Sequence, residues 1–217
     1  MDRTKFLPNK DLEKKNACSK TFVCTQCGEC CHIRENKNID HVEEKNYHNY
    51  MFKHFGIIYL AKLTDITINI SPNEKKVLDK IAKEKDITLN IKPKRAVYDQ
   101  KNHQLIIIDY FIDHDICPFF DKKHKSCTVY NFRPYICRSY PLTSTKSYGK
   151  CIFKKLDYSA YGEELLYAKK LEDIITKQKS ILRKMIDSNE IIIPKTISEE
   201  ELSHILRTAK ISELIIE

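Results

Sequence analysis

The sequence predicts an α+β fold: a small antiparallel sheet with packed helices, cysteine-rich metal-binding knuckles converging from two segments, and a C-terminal helical extension. Three observations carry this reading. Ile87–Tyr98 and the strongly apolar Gln104–Ile112 flank a short turn at Asp99–His103, the pattern of a β-hairpin. Ser71-Pro72-Asn73-Glu74 and Ser198-Glu199-Glu200-Glu201 are capping boxes that open helices. Most of the nine cysteines gather in two segments, Cys24–Cys31 and Cys117–Cys151.

Size and composition bound the possibilities. A chain of 217 residues with 41% hydrophobic and 31% charged residues can bury a real core. With only 4 Gly, it holds no glycine-rich phosphate loop. No apolar run approaches the ~20 residues of a membrane helix, and the polar, Lys-rich start has no signal-peptide core. The expectation is a soluble cytoplasmic protein without a membrane partner. In that setting nine cysteines read as metal ligands or redox groups before disulfides.

Charge is distributed unevenly. Residues 1–149 hold 26 Lys/Arg against 18 Asp/Glu, whereas residues 150–217 hold 12 of each, so the formal net charge of +8 lies with the cysteine-rich part. A nucleic-acid surface is one reading. Compensation of thiolate charge is the favoured one, because no basic stripe interleaves with aromatics.

In chain order, residues 1–21 form a polar lead-in that contains Cys18. After the first knuckle, Ile39–Phe55 carries apolar residues at helical spacing with Asp40, Glu43 and Glu44 in its first turn. Its His41, His48 and His54 read as packing or surface groups. Ile57–Ile70 is rich in β-branched residues, and Thr64–Ile70 alternates as a half-buried strand does. The helix opened by Ser71 fades near Asp86, and the hairpin follows. Beyond Cys151, Leu156–Ser188 has a long apolar stripe, Glu190–Pro194 reads as a short strand, and a last helix spans Leu202–Thr208. The expected division is therefore a lead-in at 1–21, a cysteine-cluster metal-binding domain at 22–152, and a mainly helical extension at 153–217.

The chemistry concentrates in the thiols. Cys24-Thr-Gln-Cys27-Gly28-Glu-Cys30-Cys31 places four within eight residues. Two-residue gaps let a turn bring two sulfurs to one ion, and Gly28 eases the bend. The first three repeat the rhythm of bacterial iron–sulfur ligation, but the adjacent fourth departs from it. In the second segment nine residues separate Cys117 from Cys127 and Cys127 from Cys137, and thirteen separate Cys137 from Cys151. Gaps that long require the fold to assemble the site. Pro118, Pro134 and Pro141 stiffen the segment, and Arg133 and Arg138 are expected to donate to thiolate or carboxylate.

Together these motifs resemble the CxxCxxCC cysteine-cluster family, the YkgJ-like proteins described as zinc- or iron-chelating. Cys24-x2-Cys27-Gly28-x-Cys30-Cys31 is similar to the family's opening motif. Cys117-Pro-Phe, Cys127-x-Val-Tyr130, Arg133-Pro134 and Cys137-Arg138-x-Tyr140-Pro141 are similar to its closing one. The resemblance covers about residues 22–152. It implies eight metal ligands: Cys24, Cys27, Cys30, Cys31, Cys117, Cys127, Cys137 and Cys151, with Cys18 left over. One relative, the flagellin lysine N-methylase, joins such a domain to methyl transfer, but this chain is short for that comparison and has no obvious S-adenosylmethionine loop.

Thiolate-only donors suit zinc, copper(I) or iron–sulfur and disfavour magnesium or calcium. The cofactor expected is thus a zinc ion or iron, the latter as an iron–sulfur cluster, and the metal ion is itself the expected partner. Three function classes follow. The favoured one is a non-catalytic metal-binding protein. The second is an iron–sulfur-dependent redox or modification enzyme, whose open coordination position would face Asp109, Asp121, His114 or His124. The third is a nucleic-acid module using Tyr130, Tyr140, Arg133 and Arg138. No residue is assigned a catalytic role.

Overall fold

A computed structural model describes residues 28, 31, 33, 40–63, 68–142 and 161–216. Helix α1 (His41–Phe55) begins at Asp40, whose carboxylate accepts from the Val42 amide at 3.1 Å. It stops at Gly56, which takes φ +64°, a left-handed turn that releases the chain into β1 (Ile57–Tyr59). Of the strand predicted over Thr64–Ile70, Asn69–Ile70 form β2, and residues 64–67 lie outside the described residues. The Ser71 capping box then forms in full. Ser71 accepts from the Glu74 amide at 3.2 Å and donates its own amide to the Glu74 carboxylate at 2.7 Å, opening α2 (Pro72–Glu84).

Strands β3 (Ile91–Asp99) and β4 (Gln104–Ile112) make the predicted antiparallel hairpin, with Asp99 opposite Gln104 and Ile91 opposite Ile112. β3 begins later than expected, because residues 87–90 first close the end of α2, the Ile87 amide bonding the Ala82 carbonyl at 2.9 Å. The second cysteine segment supplies a small hairpin, β5 (Phe120–Asp121) and β6 (Ser126–Cys127), and a single helical turn, α3 (Tyr135–Arg138). Helix α4 (Glu163–Asp187) follows, then α5 (Glu199–Thr208) from its own capping box, and finally β7 (Lys210–Glu213).

In the main sheet β1 pairs with β3, β3 with β4, and β2 and β7 share the far edge of β4. All pairs are antiparallel except β4 with β7, which the sequence did not predict and which runs parallel. One face packs Leu78, Ile81 and Ala82 of α2 and Ile205 of α5 against Ala96, Ile107 and Ile112. The other packs Leu182 of α4 against Ile57, Val97, Ile106 and Ile108. Burying each such Ile or Leu contributes about 1.5–3 kcal/mol.

The hairpin register shifts on either side of Arg95. In β4, Leu105 and Ile107 share a core with Tyr110 and Ile112, so the odd positions before the shift and the even ones after it face the same way. The expected strand at Glu190–Pro194 is irregular chain. Its Ile192 carbonyl accepts from the Gln100 amide at 2.8 Å, but its Ile192 amide donates to the Asp99 side chain at 3.0 Å, so it docks on the hairpin turn instead of extending a ladder. Among the described residues no helix is long and apolar enough to cross a membrane.

Candidate metal centre

The two cysteine segments meet at one end of the main core. In the first, the Cys31 amide donates to the Gly28 carbonyl at 2.8 Å, closing a tight turn. Gly28 has φ +84°, and a Cβ there would lie within the ring of Phe120 from the second segment. The backbones then bond in opposite senses: the Ile33 amide to the Asp115 carbonyl at 2.7 Å, and the Cys117 amide to the Cys31 carbonyl at 2.7 Å. Cys31 and Cys117 thus stand opposite one another in the manner of a cross-strand pair. Cys31 is buried, and Ile33 sinks into the core at 1% exposure, anchoring the segment.

Cys127 joins through the small hairpin. The Phe120 amide donates to the Cys117 carbonyl at 3.0 Å, and Phe120 is the register partner of Cys127. The turn between the strands is held by Asp121, which accepts from the Lys123 amide at 2.8 Å, the His124 amide at 3.1 Å and the His124 ring at 2.6 Å. The His124 side chain, then the His124 backbone, hold the Asp121 carboxyl below the usual carboxylate range. Cys137 sits on α3, its amide bonded to the Pro134 carbonyl at 2.9 Å. Cys117, Cys127 and Cys137 are half-buried and pack against the same core as Phe119, Val129 and Ile136.

Of the eight predicted ligands, Cys31 and Cys117 share a direct backbone bond, Cys127 is linked to Cys117 through Phe120, and Cys137 abuts the same core. Cys24, Cys27, Cys30 and Cys151, with the leftover Cys18, lie outside the described residues. Among the described residues no group of three or more Cys, His, Asp or Glu side chains is set to hold a metal ion. The donor chemistry on hand, thiols at the rim of an apolar core, nevertheless fits a zinc or iron centre.

Four side chains expected to face an open coordination position are otherwise engaged. Asp109, 4% exposed, takes a two-pronged bond from Arg95, Nη2 and Nε approaching Oδ2 at 2.5 and 2.9 Å. The bulge explains this, because the register shift turns both residues inward together. Asp121 and His124 bond each other across the turn, and His114 Nε2 accepts from the Asn90 amide at 2.8 Å.

The arginines behave differently from one another. Arg138 donates to a carboxylate, Glu163 Oε1 at 2.6 Å, and lies 3.8 Å over the Tyr167 ring, tying the second segment to α4. Arg133 instead donates to the Tyr130 carbonyl at 2.9 Å while covering that ring at 3.7 Å. Of the α1 histidines, His41 is exposed and the other two lie against aromatic rings. His48 stacks on Tyr59 with ring centroids 4.9 Å apart, and burial lowers its pKa; His54 lies against Tyr50.

What sequence reasoning missed is the pairing of Gly28 with Phe120. The signal present was an aromatic two residues past Pro118, but only the fold brings it onto the first segment. In comparison with known proteins, a family model described as "CxxCxxCC: Putative zinc- or iron-chelating domain" matches residues 23–157, more than half of the chain. No curated protein and no solved structure matches it.

Proposed function

The chain belongs to the CxxCxxCC family of zinc- or iron-chelating domains, and from that membership we propose a metal-binding protein whose ligands are Cys24, Cys27, Cys30, Cys31, Cys117, Cys127, Cys137 and Cys151. The observation that carries this reading is the direct bond between the Cys31 and Cys117 backbones, with Gly28 seated on Phe120. Residues far apart in the chain are held in register there, which brings thiols of both segments to one place. Residues 22–152 form the metal-binding unit in this proposal, and 153–217 brace it through Arg138 and Glu163.

When bound, zinc would cross-link the two segments, and an iron centre would add electron-transfer capacity. The protein's own contribution is to hold thiolates at the edge of a dry core, where an emptied set would repel itself. The enzyme reading draws no support from Asp109, Asp121, His114 or His124, since each already serves the fold.

The test is metal and sulfide analysis of protein purified without oxygen, alongside Cys31→Ser and Cys117→Ser. We expect stoichiometric zinc, or iron with sulfide, in the native protein and loss of at least half of it in each variant. A native protein that carries neither metal, with its cysteines titrating as disulfides, would overturn the proposal.

A further inference from the structure

Beside Tyr135 of α3 lies a cavity of about 420 Å³, within the size range of small-molecule sites. It is bounded by the start of α2, one face of α4 and the chain after β7. Its floor is Gln178, 5% exposed. The Gln178 amide nitrogen donates to the Ile108 carbonyl at 3.1 Å, so amide geometry turns Oε1 away from the sheet, and that oxygen has no partner among the described residues. Among the described residues Oε1 is not one of the sealed polar atoms, so solvent or a ligand can reach it.

The rim supplies charge of both signs. Lys170, Asp173 and Lys177 of α4 all line the cavity, and Lys177 is already engaged by another group. The Asp173 carboxylate has no ion-pair partner among the described residues, and Lys170 meets only the Tyr167 ring, 4.9 Å away. Ile174, Leu214 and Ile216 make the walls apolar. The start of α2 offers no anion site of its own. Glu74 already occupies it, accepting from the Ser71 amide and, at 2.7 Å, from the Tyr135 amide.

We propose that this cavity binds a small zwitterion, a free amino acid or dipeptide. Asp173 and Gln178 Oε1 accept from its ammonium, Lys170 donates to its carboxylate, and its side chain lies on Ile174, Leu214 and Ile216. A ligand with one charge engages only one of Asp173 and Lys170 and binds more weakly than one that engages both. The site lies outside the cysteine cluster and does not rest on the metal reading.

The full chain, with metal as purified, is titrated calorimetrically with free L-leucine, L-glutamate, L-lysine and Gly-Leu, and with the N-acetyl and amide forms of each. The expected result is saturable millimolar or tighter binding of at least one free form, weakened about tenfold or more by either modification. Asp173→Asn and Lys170→Gln, both exposed and therefore compatible with folding, are expected to weaken that binding about tenfold while leaving metal content and Tm unchanged. No saturable binding by any of the four, binding unchanged by capping, or binding unchanged in both variants would overturn the assignment. The capped ligands on the native chain decide the matter even where a variant loses stability.

Discussion

Gly28 bears the sharpest geometric demand near the cysteines. Its role in a turn follows from the sequence, since a two-residue gap between ligands wants a small residue. That its hydrogen faces an aromatic ring does not, because Phe120 is distant in the chain. Gly28→Ala combines positive φ with overlap into that ring, and we expect it to cost about 1–3 kcal/mol in urea denaturation of the metal-loaded protein and to speed metal loss to a chelator. Asp109 shows the opposite case. Nothing near it in the chain reveals its partner, and the bulge hands it to Arg95, 14 residues back. Asp109→Ala strands a buried guanidinium and should cost about 3–5 kcal/mol, whereas the double change Arg95→Met/Asp109→Leu should recover most of that in the same denaturation assay.

At the scale of elements, both capping boxes were readable because every participant lies within four residues. Their surroundings were not. Glu74 also accepts the Tyr135 amide from the cysteine segment, while Glu201 among the described residues serves only its own helix. Glu74→Ala should therefore cost about 2 kcal/mol and loosen metal retention, and Glu201→Ala should cost less and leave retention unchanged, compared by thermal melts and chelator competition. Hydrogen bonds from the Ser198 backbone and side chain hold the Glu201 carboxyl below the usual range. Its contribution is therefore complete above the ordinary glutamate pKa and is lost as pH falls through the lowered value. An NMR titration of the Ser198 amide should show α5 fraying only in that acidic window. The strand expected at Glu190–Pro194 failed at this scale, because a side-chain carboxylate of Asp99 took the place of a ladder partner.

For the whole molecule, the sheet and the cysteine region depend on different forces. The sheet buries Leu78, Ala96, Ile107 and Ile112 between helices. Among the described residues the cysteine region contributes fewer buried apolar groups, chiefly Ile33, Phe119 and Val129, and in our proposal metal supplies the rest. Removing metal with a chelator should lower Tm and strip hydrogen-exchange protection from Ile33, Cys117 and Phe120, while the β3–β4 amides keep theirs. Simultaneous loss of protection in both regions would show instead that metal holds the entire fold.

Local chemistry determined what the sequence could show by itself: helix starts with neighbouring caps, a hairpin between apolar runs, and thiols whose spacing points to metal. Each depends on residues close enough in the chain to interact by reach alone. The tertiary structure decided which distant groups meet. It set Cys31 against Cys117 and Gly28 on Phe120, gave Asp109 to Arg95, and added β7 alongside β4. The last two are selected by how the two faces of the main sheet fill with side chains, where a slip of one residue would turn a strand's side chains to the other face, and the first two by long-range packing of the cysteine segments.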